Sequence, residues 1–219
     1  MVRDKATGKK MRIQGKRVFY MLFGIFLIGI AVGAYRIAGF GVDPFTCMNL
    51  AISKYLGMSF GNWQLIMNIA VLIVVFFTVR HCIGMGTVIN MVFVGYIADF
   101  VCWIVQEQLS ISVVLPLRFA LLAVAMLLLT VGAAMYMAAD MGIAPYDSVA
   151  FIVMKLTKDK VSFKAGRVGS DVTVMVVGVI FSLLSGNSIW TVVGLGTVLN
   201  CLFNGPLIQF FRVWLEKNL

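Results

Sequence analysis

An all-α integral membrane fold is what the sequence predicts: six transmembrane helices plus two short re-entrant or interfacial helices, arranged as two inverted three-span repeats. Three observations lead there. The 219 residues are 61% hydrophobic and 12% charged, with a mean hydropathy of +1.00, far from the composition of a domain that folds in water. Six apolar runs are long enough to cross about 30 Å of hydrocarbon at about 1.5 Å per helical residue. Finally, one block occurs twice. Gly86-Thr87-Val88-Ile89-Asn90-Met91-Val92-Phe93-Val94-Gly95 recurs as Gly196-Thr197-Val198-Leu199-Asn200-Cys201-Leu202-Phe203-Asn204-Gly205, identical at six of ten positions.

Two upstream matches make this a duplication rather than a coincidence. Tyr35, Ala38, Gly41 and Pro44 align without gaps on Tyr136, Ala139, Gly142 and Pro145, and Ser59-Phe60 with Asn68 aligns on Ser162-Phe163 with Asp171. The offset grows along the repeat from 101 to 103 to 110, so the extra residues of the second copy fall in connections between matched blocks. The organisation read from this is a basic tail at 1–16, a first membrane repeat at 17–106, a second at 114–213 and a short C-terminus at 214–219.

Seven of the 18 Lys and Arg lie in the first 17 residues, ahead of any apolar run. This reads as an orientation signal that keeps the N-terminus in the cytoplasm, with anionic lipid as a secondary partner, and not as a nucleic-acid surface. The first apolar stretch spans and lacks a cleavage-type end, so no signal peptide is expected. The spans are placed near 17–39, 60–80, 84–105, 114–138, 168–186 and 189–213. With six crossings, fifteen Lys and Arg fall on the inner side and only Arg36, Lys54 and Arg118 outside, so both termini are expected in the cytoplasm. Eight crossings would give an equally good bias; the length of two short pieces, 44–56 and 145–156, decides for six. Each opens with proline after a Gly-containing approach, and thirteen residues reach only about 20 Å. Three spans per copy is an odd number, so the second copy is expected upside down relative to the first.

Polar groups inside spans cost about 2.5–3.5 kcal/mol for a central Asp, Lys or Arg, so each needs a reason. Gln64 and Asn68 on the second span match Arg167 and Asp171 on the fifth, each pair sharing a helical face at i, i+4. The plainer reading is a pair that locks packing. Asn90 and Asn200, each four residues after a glycine, suit close crossing plus an interhelical hydrogen bond, and the two blocks are expected to meet near the pseudo-axis. The better site candidates are the half-helix starts, where first-turn amides and the positive dipole end can face a ligand. Asp43 precedes Pro44 as an N-cap, whereas Asp147 lies inside the first turn after Pro145; both can simply satisfy orphan amides. Phe45 and Tyr146 occupy matched positions, with Tyr35 and Tyr136 one helix earlier, and can form an aromatic wall or act as interface anchors. Asp99 and Asp140 are expected as solvated boundary residues, and Arg36 and Arg118 as outward snorkels.

The four cysteines show no metal or disulfide spacing and the one histidine, His81, has no ligand-type neighbour, so no metal and no cofactor are expected. Nucleophile–base pairs and phosphate-cradling loops are not apparent either, so an enzyme is not expected.

Gly41, Pro44 and Phe45, then Ser59-Phe60-Gly61, with Gly142, Pro145, Tyr146 and Asp147 in the second copy, resemble the bacterial YczE-like membrane proteins (YczE/YyaS/YitT type) over roughly residues 17 to 213. The second copy is the closer match, since the first has Thr46 where Asp147 stands. The resemblance implies an integral protein of the bacterial plasma membrane and supports topology more than activity. With the repeat and broken helices, the leading expectation is a secondary transporter for a small polar or zwitterionic metabolite. The rivals are a non-transporting sensor or partner-assisting protein and, more weakly, an enzyme acting on lipid. The bilayer and an unidentified small molecule are the expected partners, with a homodimer kept open.

Overall fold

A computed structural model describes residues 2–109, 113–186 and 193–217. Among them the chain forms helices α1 (Val2–Ala38), α2 (Pro44–Leu56), α3 (Phe60–Thr78), α4 (Met85–Trp103), α5 (Leu115–Ala139), α6 (Val149–Leu156), α7 (Phe163–Leu184), α8 (Leu195–Leu199) and α9 (Gly205–Glu216). Among the described residues, five helical stretches are long and apolar enough to cross a membrane: Gln14–Ala38, Phe60–Thr78, Met85–Gln108, Leu115–Ala139 and Ala165–Leu184. The protein is therefore an all-helical, multi-pass membrane protein. Its flanks agree, because Phe77, Leu156 and Phe210 are at least 68% exposed, a surface suited to lipid and not to water.

Helix boundaries follow local chemistry. The basic tail is not a separate segment, since α1 starts at Val2 and runs unbroken into the first span. Ser59 and Ser162, the repeated serines, cap α3 and α7 in the same way, accepting from the Asn62 and Ala165 amides at 3.3 Å. That is why Ser-Phe recurs: the hydroxyl satisfies a first-turn donor that lipid leaves unpaired. α2 ends where Gly57 turns left-handed at φ 65° and returns its N–H to the helix. The sixth predicted span begins in residues outside those described; from Leu195 the chain is helical through α8, a π turn at Asn200–Asn204, and α9. Pro206 has no N–H to return to the carbonyl four residues back, which loosens the ladder there.

α1 lies at the centre, against α5 on one side and α4 on another, while α2 packs on α7 and α9 on α5. The α1–α5 crossing is made by glycine: a Cβ on Gly24 would sit 2.6 Å from the Gly132 carbonyl oxygen, and one on Gly132 2.8 Å from that of Gly24. In lipid, where apolar burial drives little, such close backbone approach is what holds helices together.

Each Gly-Thr-Val-x-Asn block is seated against the Gly-x-x-Pro approach of the other half. The Gly86 amide donates to the Met141 carbonyl at 2.8 Å, and the Gly196 amide to the Phe40 carbonyl at 2.7 Å. Thr87 donates to the Ile143 carbonyl at 2.8 Å. Gly41 (φ 91°) and Gly142 (φ 113°) make these turns, and any Cβ there would lie 2.4 Å and 2.6 Å from the amides of Gly194 and Gly84 respectively.

Candidate functional site

At the first half-helix, Pro44 takes the first helical position, where its missing N–H costs nothing. Asp43 caps it, its Oδ1 accepting from the Thr46 amide at 3.1 Å. The second start is built differently. Pro145 is already in helical conformation, Tyr146–Ser148 form a single 3-10 turn, and α6 is only eight residues long. Asp147 is not spent on orphan amides; its Oδ1 receives the Arg167 Nη1 at 2.5 Å.

Arg167 is the hub. Its Nε lies 3.4 Å from Asp171 Oδ2 one turn further along α7, and its guanidinium stands 4.8 Å from the centroid of the Tyr146 ring. The Tyr146 hydroxyl donates to Asp171 Oδ1 at 2.6 Å. Phe45 stacks on Tyr146, centroids 4.3 Å apart and planes 12° apart. The two half-helix starts thus meet through their matched aromatic residues, and a guanidinium with two carboxylates sits beside the meeting point. These charges are between 25% and 34% exposed, so the cluster is reachable from a surface rather than sealed.

The other candidates distribute around this centre. Gln64 and Asn68 are buried on α3, with Gln64 Oε1 unpaired among the described residues and packed where a Cβ on Gly95 would meet it at 2.6 Å. Asn200 accepts from the Tyr35 hydroxyl at 3.0 Å, a contact between halves. Asn90 is only half-buried, and Tyr136 is buried against Gly86. So Asp43, Pro44, Phe45, Pro145, Tyr146, Asp147, Arg167 and Asp171 form one region, while Asn200 belongs to the helix contacts.

Two boundary expectations are corrected. Arg36 does not snorkel outward and Asp99 is not simply solvated: they pair at 2.7 Å, 17% and 24% exposed. The second Asp99 oxygen accepts from the Gly61 amide at 2.6 Å, and Arg36 lies 4.7 Å from the Phe60 ring centroid. No spacing in the sequence joins residues 36 and 99; the one signal was that a charge this deep in an apolar run needs a partner. A separate cavity of about 310 Å³, lined by Arg17, Ala138, Asp140, Arg212 and Glu216, contains none of the predicted site residues.

A family described as a family of unknown function, DUF6198, matches residues 15–213. The chain belongs to this family. Its relatives include the uncharacterized protein YyaS of Bacillus subtilis, 22% identical over 92% of this chain and 95% of its own. An uncharacterized protein of Haemophilus influenzae is 26% identical over 90% and 84%. The uncharacterized membrane protein YczE of Bacillus subtilis is 23% identical over 78% and 73%. The chain is thus a YczE-like membrane protein, and the family match takes in every predicted site residue. No solved structure matches.

Proposed function

We propose that this protein is a secondary transporter of a small polar or zwitterionic metabolite, bound where the Pro44 and Pro145 helix starts meet. The observation that carries the reading is the Phe45–Tyr146 stack, which brings two broken-helix starts together beside Asp147, Arg167 and Asp171. Irregular backbone and intramembrane charge are tolerated in lipid where they line a path for solute.

In this reading the helical run from Leu195 to Glu216 is the sixth span and the halves are inverted about an axis near the stack. The crossed hydrogen bonds of Gly86 and Gly196 support that symmetry. The charge distribution supports cytoplasmic termini. Alternating access then consists of one half rocking against the other, with Asp171 as recognition or coupling carboxylate.

The test is uptake by proteoliposomes over a metabolite panel, with and without a proton gradient. Asp171→Asn, which gives the second copy the residue of the first, is expected to lower uptake at least about tenfold, the order of a lost charged contact, while expression is retained. Unchanged uptake removes Asp171 from the mechanism. A protein that neither binds nor moves any solute, yet holds a stable protein partner, is a partner-assisting protein instead.

A further inference from the structure

We infer that the ligand of this site is an organic monocation, a guanidinium or substituted ammonium, and that Arg167 occupies the ligand's seat as a tethered stand-in. The inference rests on the transport reading for the site's location and goes beyond it by fixing the charge of what is bound.

The first argument is an asymmetry between the halves. The positions matching Asp147, Arg167 and Asp171 hold Thr46, Gln64 and Asn68, so a half of this fold is built without any charge at these places. The charged set in the second half is therefore additional to what packing needs. In it two carboxylates converge on one guanidinium, so the place between them is built for a single cationic group.

A second argument concerns where an anion would bind. The amide end of α2 is already taken by the Asp43 carboxylate, so the position a ligand carboxylate would use at that helix start is filled by the chain itself. At the second start, what surrounds the Arg167 guanidinium is carboxylate and aromatic ring. Tyr146 presents its ring to a guanidinium at 4.8 Å and is backed by Phe45, the arrangement by which aromatic rings bind cations.

The mechanism follows directly. An incoming cation competes with the Arg167 side chain for Asp147 and Asp171, and the displaced guanidinium moves to solvent; when the ligand leaves, Arg167 returns and keeps the carboxylates paired.

The experiment titrates detergent-purified full-length protein with methylguanidinium, tetramethylammonium, sodium and acetate, reading affinity by calorimetry and the unfolding midpoint. Arg167→Gln, which copies Gln64, empties the seat and is expected to bind methylguanidinium at least tenfold more tightly than wild type. Adding Asp171→Asn to it is expected to abolish that gain. Should Arg167→Gln not be recovered, the wild-type midpoint carries the test: a rise with methylguanidinium and none with sodium or acetate is expected. Equal effects of methylguanidinium and sodium, or none from any cation, overturn the inference. Failure of the transport reading looks different: methylguanidinium binds through Asp171, but proteoliposomes move no solute. Wild-type uptake of an anionic or neutral metabolite without cation binding overturns the cation inference and leaves transport standing.

Discussion

Asp99 is neutralised twice, by the Arg36 guanidinium and by the first-turn amide of Gly61. One carboxylate therefore ties the end of α1 to the start of α3 from its place on α4. Removing it orphans a part-buried guanidinium, which costs more than removing both partners. Asp99→Leu is expected to lower unfolding free energy by about 1–3 kcal/mol, the range for an unsatisfied buried polar group, and Arg36→Leu/Asp99→Leu by less than the single change; thermal unfolding in detergent reads both. A double variant as damaged as Asp99→Leu alone contradicts the pairing. Asp43 acts more locally: Asp43→Ala loses the cap on Thr46 and is expected to cost about 1 kcal/mol, measured in the same way. This cap was legible in the sequence because its partner lies three residues away. The Arg36–Asp99 pair was not, because its partner lies 63 residues away and is chosen by helix packing.

Among the elements, the paired Gly-x-x-Pro approaches show how a short motif acquires its meaning from its contacts. Gly142 is left-handed at φ 113°, and a Cβ there would lie 2.6 Å from both the Gly84 amide and Thr87 Oγ1. Thr87 bonds both the Gly84 amide and the Ile143 carbonyl, so the approach and the start of α4 are one unit. Gly142→Ala is expected to reduce the folded yield sharply in fluorescence-detected size exclusion, since strain in this region costs about 1–3 kcal/mol before the steric clash is added. Gly39→Ala, also at positive φ but with nothing within 4 Å of its Cβ, carries only the strain and is expected to be milder. The proline starts were visible as helix punctuation. The shortness of α6 was not: the second start opens with a 3-10 turn at Tyr146–Ser148, and the α-helix begins only at Val149.

Over the whole molecule, the halves are held by contacts that cross between them: the α1–α5 glycine crossing, the two amide-to-carbonyl bonds, Tyr35 to Asn200, and Phe45 on Tyr146. Gly24→Leu is expected to abolish a monodisperse folded protein, because its Cβ has a backbone oxygen at 2.6 Å and nothing flexible to displace. Gly15→Leu, on the same helix with nothing within 4 Å, is expected to fold like wild type, and size exclusion distinguishes the pair. The sequence by itself determined the class, most of the helix boundaries, and the duplication. Those depend on hydropathy, caps and proline, all of which act within a few residues along the chain. The tertiary structure alone decided that the duplicated blocks dock on the opposite half's approaches, that Arg36 finds Asp99, and that Arg167 stands between Asp147 and Asp171 over Tyr146. The physical reason is that partner choice in lipid is settled by which helices approach closely enough for backbone and polar groups to meet, and periodicity along one chain carries no record of that distance.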